Sequence, residues 1–228
     1  MTILRRVSLP LLAALALLAA LAAAAAAHPG RWDNGDDWRR EPVPGRLSLS
    51  GGVYLPTDAD AQDVFGEVWP SLGLAYQTAP RRGLTQSFEV RLSGSQRRLD
   101  VGPLDSSYGG GYYEQNARFL LIPVTYTLLR TPEEGETGFY FGGGPGVYFG
   151  RSEKQTVYQT WGGDVDQSDW WWSTRFGLHA VAGYAFTRSF TAEVRLSKLL
   201  DKHTMIVDEG VRHVRSLDGT LLAVNARF

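Results

Sequence analysis

The chain has 228 residues, with 23 lysines and arginines against 24 aspartates and glutamates, so its formal net charge is −1. Because phosphate binding requires a basic surface, this balance argues against a nucleic-acid partner. The absence of cysteine excludes disulfide frameworks, thiolate zinc sites, cysteine nucleophiles and lipid attachment at an N-terminal cysteine. The 26 glycines, together with 10 tyrosines, 10 phenylalanines and 7 tryptophans, are typical of a β protein.

Residues 1–27 carry two arginines near their start, Arg5 and Arg6, followed by an apolar run that ends in alanines. This order predicts a secretory signal peptide that is cleaved. An uncleaved membrane helix is the alternative, because the run is long enough to span a bilayer. The polar, turn-rich segment 28–45 is predicted to be a flexible periplasmic arm. The remaining domain, 46–228, has no apolar run of spanning length, so it can cross a membrane only as a closed β-barrel.

Eight segments with period-2 alternation of apolar and polar residues follow the arm. They are about 9–14 residues long, close to the length of a tilted membrane strand. Long and short connections alternate between them, as in up-and-down barrels whose long loops all lie at one end. The sequence therefore predicts an all-β fold, an eight-stranded antiparallel up-and-down transmembrane β-barrel. The predicted strands cover residues 47–55, 67–77, 86–97, 117–129, 138–150, 173–186, 189–199 and 219–228.

Each predicted strand has one apolar face and one polar face, and the charged residues share the polar face. A soluble barrel would turn the apolar face inward, whereas a membrane barrel turns it toward lipid and encloses the charges. In the membrane arrangement the charged residues form a network in the lumen. The predicted lumen charge network consists of Glu67, Glu89, Arg91, Glu193, Arg195 and Arg227.

The depth of the aromatic residues favours the membrane arrangement. Seven of the eight strands place an aromatic residue of the apolar face at the end where the connections are short. Amphipathic rings at one depth form a girdle at the headgroup level, whereas a soluble core has no such depth preference. Phe149 and Trp172 mark the opposite rim. The predicted periplasmic girdle consists of Tyr76, Phe88, Tyr126, Phe139, Phe186, Phe190 and Phe228.

Four stretches carry a resemblance to a known family: RFLLIPVTYTLLR (118–130), GFYFGGGPGVYFG (138–150), FGLHAVAGYAFTRSFTAEVRL (176–196) and the C-terminal Phe228. The chain resembles small bacterial outer-membrane β-barrels of the OmpA, OmpX and OmpW-like porin family. The resemblance implies an outer-membrane location with both termini in the periplasm. It also implies that Phe228 belongs to the sorting signal that the barrel assembly machinery reads. Ala226 stands where that signal usually has an aromatic residue.

An eight-stranded barrel is nearly filled by its own side chains. We therefore expect a satisfied polar lumen and a non-enzymatic role, either structural or in presenting surface loops to an extracellular ligand. A narrow conduit for small or hydrophobic solutes is the alternative. The inward positions predicted besides the charges are Tyr54, Trp69, Tyr140, Tyr148 and His179, with room made by Gly142, Gly144, Gly146, Gly177 and Gly183.

A lipid-remodelling enzyme is the other alternative, because the last loop contains His203, His213, Asp201, Asp208 and Ser216. These residues have no spacing typical of a catalytic or metal site, so no catalytic residue, metal or cofactor is predicted. Other loops are rich in aromatic residues, which suit either ligand capture or contact with lipid headgroups. The aromatic loop residues are Tyr108, Tyr112, Tyr113, Trp161, Trp170, Trp171 and Trp172.

Overall fold

The structure is a computed structural model that describes residues 45–78, 83–104, 110–131, 137–160, 163–187, 189–200, 205–208, 212–214 and 216–228. The predicted signal peptide, 1–27, and all but the last residue of the predicted arm, 28–45, lie outside these residues. The elements in chain order are β1 (Arg46–Pro56), α1 (Ala59–Phe65), β2 (Trp69–Gln77), β3 (Leu84–Pro103), β4 (Gly111–Arg130), β5 (Gly138–Thr160), β6 (Gly163–Ala185), β7 (Phe190–Leu199), β8 (Met205–Asp208), β9 (Arg212–Val214) and β10 (Gly219–Arg227).

Eight of the described strands form a closed barrel. Strands β1 to β7 pair antiparallel in chain order, β10 follows β7, and β10 closes the ring against β1. The closing pair runs from Ser48 opposite Arg227 to Pro56 opposite Gly219. A closed sheet leaves no free edge along the ring. The predicted eight-stranded antiparallel up-and-down barrel is confirmed.

The two ends of the barrel differ. At one end, called here the turn end, the chain enters β1 and leaves β10, and the backbone N–H of Phe228 donates to the carbonyl of Leu47 at 2.9 Å. At the other end, called the helix end, α1 connects β1 to β2, and the separate hairpin β8–β9 lies between β7 and β10. Helix α1 begins after Asp58, whose carboxylate accepts from the backbone N–H groups of Asp60 and Ala61.

No helix in the part of the chain that the structure describes is long and apolar enough to cross a membrane.

Strands β3 to β6 are much longer than predicted. They contain 20 to 23 residues each, whereas β1, β2, β7 and β10 contain 9 to 11. Residues 98–103, 111–116, 151–160 and 163–172, predicted to be loops, instead continue the two hairpins β3–β4 and β5–β6. This four-stranded sheet beyond the barrel, here called the sheet extension, comprises residues 94–103, 111–120, 151–160 and 163–172.

Cross-strand polar contacts hold the sheet extension together where the sequence has no apolar face. Arg98 Nε lies 3.1 Å from Glu114 Oε1, and Gln155 Nε2 donates to Asp166 Oδ2 at 2.8 Å. Near the tip, Tyr113 donates its hydroxyl proton to Asp100 Oδ2 at 2.8 Å. The Asp100 carboxylate accepts a hydrogen bond from the protonated hydroxyl and thereby raises the pKa of Tyr113. The hairpins continue because antiparallel strands pair through backbone hydrogen bonds, which do not require alternating apolar side chains. Such alternation only determines which face of a strand is buried.

The faces of the barrel follow the predicted parity. Inward positions hold serines, threonines, charged residues and large aromatic residues that are buried. Outward positions hold leucines, valines and phenylalanines, with Leu72 68% exposed and Phe139 81% exposed to the surroundings. Between the two rims the outward face of the described barrel strands carries no charged residue; Arg118, Arg130, Arg151, Glu153 and Lys198 lie near the rims, and other charged residues lie in the sheet extension. The barrel is thus polar inside and apolar outside.

Candidate functional site

The centre of the lumen is an ion-pair network built on Glu89 of β3. One of its oxygens, Oε1, accepts from Arg91 Nε at 2.7 Å, and the other, Oε2, accepts from Arg195 Nη2 at 2.5 Å. The three residues are buried, with Glu89 4% exposed and Arg91 3% exposed. Arg91 also donates to Ser50 at 2.9 Å, and Arg195 donates to Thr125 at 3.2 Å. The network therefore connects opposite walls of the barrel.

Glu193 of β7 extends the network toward the turn end. Its Oε1 lies 3.4 Å from Arg195 and 3.8 Å from Arg91, and its Oε2 accepts from the hydroxyl of Tyr140 at 3.2 Å. The guanidinium of Arg227 stands over the ring of Tyr140, with 5.7 Å between Cζ and the ring centroid. Two carboxylates and two guanidinium groups thus balance each other at the centre, with Arg227 set to one side.

The structure corrects one member of the predicted network. Glu67 is exposed and lies in the connection between α1 and β2, ahead of the first residue of that strand, Trp69. Its alternation with Trp69 predicted an inward side chain, but the period-2 rule applies only inside a strand. The structure thus brings together four of the six predicted residues, with Arg227 next to them and Glu67 outside.

The lumen holds further polar residues. His179 is buried, and its Nε2 is 2.7 Å from the hydroxyl oxygen of Thr127. The predicted network omits Arg175, which is 2% exposed and shares the odd-numbered inward face of β6 with His179. Because Arg175 and His179 both have odd numbers on β6, strand alternation alone would have predicted that Arg175 points into the lumen. His179 and the other predicted inward residues, Tyr54, Trp69, Tyr140 and Tyr148, are all buried as predicted.

Several glycines make room for these large groups. A Cβ on Gly183 would lie within 2.5 Å of the hydroxyl oxygen of Tyr140, and one on Gly177 would lie 2.9 Å from the ring of Tyr148. A Cβ on Gly146 would lie 3.0 Å from the same Tyr148 ring. These distances are shorter than a side chain tolerates, so the glycines set the space in which the inward tyrosines lie.

A polar recess opens beside the network toward the turn end. Its volume is ≈ 300 Å³, including space open to solvent, and its lining includes Ser48, Ser87, Thr127 and Asn225 together with Glu89 and Arg195 of the network. The recess ends at the ion pairs. Within the described residues no group of three or more histidines, aspartates and glutamates is placed to hold a metal ion.

The helix end of the lumen is closed by an apolar cluster, here called the helix-end seal. Helix α1 contributes Ala61, Val64 and Phe65, each no more than 1% exposed. They pack on Trp69 of β2 and Phe119 of β4, with ring centroids 4.8 Å apart for Phe65 and Phe119. From the last loop, Val214 and Leu217 join the same cluster.

Hydrogen bonds fix the seal to the barrel. Asp58, the N-cap of α1, accepts from the backbone N–H of Ser216 at 2.7 Å, and Tyr54 donates to the carbonyl of Leu217 at 2.5 Å. Asp218 accepts from Lys198 Nζ at 2.5 Å and from the backbone N–H of Leu199 at 2.7 Å. Partial burial opposes charge on Asp218, but these hydrogen bonds outweigh it and hold its pKa below the usual range.

All seven residues of the predicted aromatic girdle lie at the turn end. Phe139, Phe186, Phe190 and Phe228 are more than half exposed, whereas Phe88 packs against Tyr126, with 5.1 Å between ring centroids. Tyr76 packs on the same outward cluster. The prediction omits Tyr184, whose ring lies between those of Phe139 and Phe186, with centroids 4.9 and 5.2 Å apart.

The alternative catalytic candidates are not assembled into a described site. Asp201 and His203 lie outside the described residues, and so do Tyr108 and Trp161 among the aromatic loop residues. Asp208 and His213 belong to β8 and β9, but their side chains lie outside the described part of the structure. The described Ser216 uses its backbone N–H to bind Asp58 and its hydroxyl oxygen to accept from the backbone N–H of Asp218.

No family model matches the chain, and no curated protein matches it. Solved structures of similar architecture exist. One is Ail, the attachment invasion locus protein of Yersinia pestis, in complex with the heparin analogue sucrose octasulfate. Its sequence is 13% identical to this chain, the alignment covers 82% of this chain and 100% of Ail, and the TM-score is 0.42. Neisserial surface protein A is 9% identical, with 82% and 98% covered and a TM-score of 0.37. The N-terminal β-barrel domain of Pseudomonas aeruginosa OprF is 12% identical, with 80% and 97% covered and a TM-score of 0.32.

These likenesses concern the fold alone. The family that the sequence resembles consists of the same kind of protein, small outer-membrane β-barrels. The barrel assignment itself follows from the strand pairing of this chain, which closes the ring without reference to another protein.

Proposed function

We propose that this protein is an integral outer-membrane β-barrel with a closed lumen and a non-enzymatic role, presenting its sheet extension outside the cell. In this arrangement the helix end faces outward and the turn end, with both termini, faces the periplasm. The observation that carries the proposal is the inverted polarity of the barrel, with a buried ion-pair network inside and an exposed apolar band outside.

The outward face supports insertion into a bilayer. On β7 the outward residues are Phe190, Ala192, Val194 and Leu196, while the inward residues on the same strand include Glu193 and Arg195. In water these apolar side chains would be exposed on every barrel strand. In lipid the same face is favourable, whereas a charged residue at the midplane costs about 2–4 kcal/mol. The polarity of the strands therefore matches a lipid surrounding.

Two obstacles in series argue against the conduit alternative. The lumen is crossed by the ion pairs of Glu89 with Arg91 and Arg195, and the helix end is closed by Phe65 and its apolar neighbours. A solute would have to break buried ion pairs and displace packed side chains to pass. We therefore expect the barrel to be closed at rest.

The rims support the orientation. Short turns are typical of the periplasmic side of such barrels and long connections of the outer side, whereas aromatic girdles occur at both interfaces. In the proposed orientation Phe228 and the C-terminal strand face the periplasm, from which we expect the assembly machinery to engage them. The sheet extension, β3 to β6, then projects from the outer surface as the candidate platform for an extracellular ligand.

Fractionation combined with gel mobility tests the membrane proposal. We expect the protein in the outer-membrane fraction, with an apparent mass on SDS gels that changes when the sample is boiled. A soluble periplasmic protein without a heat-dependent shift would overturn it. Planar-bilayer recording then tests closure: the expected trace is closed, and steady ion conductance at low voltage would support the conduit instead.

The enzyme alternative has its own test. If the protein modified outer-membrane lipid, expression in a host would change the mass spectrum of its lipid A, and substituting both His203 and His213 would reverse the change. We expect identical lipid spectra with and without the protein.

A further inference from the structure

Arg151 lies at the foot of the sheet extension, directly above the apolar band. It points outward from β5, and its Cζ is 5.8 Å from the ring centroids of both Trp170 and Trp172 of β6. In the strand register Arg151 stands opposite Trp172 on one side and Leu120 on the other. The guanidinium is therefore held between two aromatic rings on the outer surface of the barrel, at the depth where tryptophans meet lipid headgroups.

Part of the hydrogen-bonding capacity of Arg151 is not used by the described residues around it. Its Nε is buried and has no hydrogen-bond partner in the described part of the chain. The carboxylate of Glu153 lies 3.7 Å from Nη2, a long ion pair. A guanidinium carries five N–H donors in a fixed fork that suits a phosphate or carboxylate. The group is therefore positioned between the two rings with donors left for a second anion besides Glu153.

A second arginine faces the same spot. Arg118 of β4 stands opposite Glu153, two residues along from the pair of Leu120 and Arg151, so the two arginines are diagonal neighbours on one outward face. Diagonal residues in a sheet are about 7–8 Å apart, which two long side chains can bridge to one anion. Arg118 is exposed. With Glu153 between them, the two arginines leave the patch with net positive charge.

The surroundings define the anion. On the side toward the turn end the outward neighbours are Ile122 and Phe149, which belong to the apolar outward cluster of the barrel wall. Ile122 is buried and Phe149 is partly exposed, so Phe149 is the apolar surface along which a body attached to the anion can lie. On the other side Trp170, 42% exposed, presents an aromatic surface beside the guanidinium. A phosphate attached to a sugar and carrying acyl chains meets all three requirements.

We propose that Arg118, Arg151, Trp170 and Trp172 bind the phosphate of a phosphorylated glycolipid of the outer leaflet. The assignment rests on the proposed function, because it needs the helix end to face outward. Bidentate contact by the two arginines would provide the charge-assisted hydrogen bonds, and the apolar wall below would receive the acyl chains. The bound lipid would anchor the foot of the sheet extension.

The test compares the full-length mature protein in vesicles of four compositions. They contain phosphatidylcholine alone, or phosphatidylcholine with bisphosphorylated lipid A, with the same lipid A lacking its phosphates, or with phosphatidylglycerol at equal charge. The readout is the temperature at which half of the protein loses its compact, heat-sensitive gel mobility. The variants are Arg118→Gln, Arg118→Gln with Arg151→Gln, and the matched control Arg130→Gln, an exposed outward arginine at the opposite rim of β4.

We expect bisphosphorylated lipid A to raise this temperature for the natural sequence and for the Arg130 variant. The Arg118→Gln variant should need about tenfold more lipid A for the same rise and the double variant about a hundredfold more, since each lost charged hydrogen bond weakens binding by about tenfold. An equal rise with dephosphorylated lipid A or with phosphatidylglycerol would overturn the assignment, as would an equal loss in the Arg130 variant. Compact protein in phosphatidylcholine alone shows that the barrel itself has folded, so a failure of this site is separable from a failure of the proposed function.

Discussion

Replacing Glu89 by Gln tests whether the lumen network holds the barrel together. Glutamine keeps the shape of the side chain but removes the charge that two buried guanidinium groups share. Its Nε2 would also bring two hydrogens toward either Arg91 or Arg195, which are themselves donors. One hydrogen bond at least is lost, and both arginines lose their nearest carboxylate.

The expected magnitude follows from burial. The side chains of Arg91 and Arg195 are 3% and 8% exposed, so water replaces little of what the carboxylate provided. Removing one partner of a buried ion pair typically costs about 3–5 kcal/mol. Glu193 lies 3.4 Å from Arg195 and 3.8 Å from Arg91 and supplies part of the charge. We therefore expect Glu89→Gln to lower the free energy of unfolding by about 3 kcal/mol, the low end of that range.

The assay is reversible urea unfolding in phospholipid vesicles, followed by tryptophan fluorescence. Glu114→Gln is the matched control, because Glu114 pairs with Arg98, which is 65% exposed, and surface pairs contribute about 0–1 kcal/mol. A Glu89→Gln loss no larger than the Glu114→Gln loss would refute the claim that the buried network stabilises the barrel.

Three further perturbations test other parts of the structure. Phe65→Ala removes a ring from the helix-end seal, so urea unfolding should show a loss of about 3–5 kcal/mol, and bilayer recordings should show brief openings that the natural sequence lacks. Gly183→Ala, which meets the Tyr140 ring and the backbone of Ala192, should cost about 1–3 kcal/mol in the same assay, whereas Gly51→Ala, whose Cβ would meet nothing closer than 4.0 Å, should be tolerated. Since the folded-state pKa of Asp218 is lowered, its contribution is present above the ordinary carboxyl value of about 3.9 and is lost as pH falls through the folded value. The Asp218→Asn variant should therefore be less stable than the natural sequence at pH 7, with the difference shrinking as the pH falls through the lowered folded-state pKa of Asp218. Unchanged stability of the Phe65, Gly183 or Asp218 variant at pH 7 would contradict the corresponding contact.

The faces of the barrel strands were predictable because alternation is unambiguous when one face meets lipid. On β3, Phe88 and Val90 alternate with Glu89 and Arg91, and a slip by one residue would exchange them. The sheet extension could not be found in the same way. Residues 163–171 are exposed on both faces, so their side chains carry no period that distinguishes a strand from a loop.

Helix α1 and the position of Glu67 were missed for a related reason. A seven-residue helix is too short to show helical periodicity, although Asp58 before it and Asp60 in its first turn were local signals of a helix start. Overlooking it extended the second predicted strand back to residue 67 and gave Glu67 an inward face. The lumen network was otherwise recoverable from parity, but the pairing of Glu89 with Arg195 depends on strands that are distant in sequence.

The central claim, a barrel with lipid outside and ion pairs inside, is tested most directly by a nitroxide scan of β7 in vesicles. Because the chain has no cysteine, single cysteines can be placed one at a time from Phe190 to Ser197 and labelled. Collision with oxygen, which is enriched in lipid, should peak at residues 190, 192, 194 and 196 and fall at the residues between them. Equal access along the strand, or access to a water-soluble reagent at residues 192 and 194, would contradict the account.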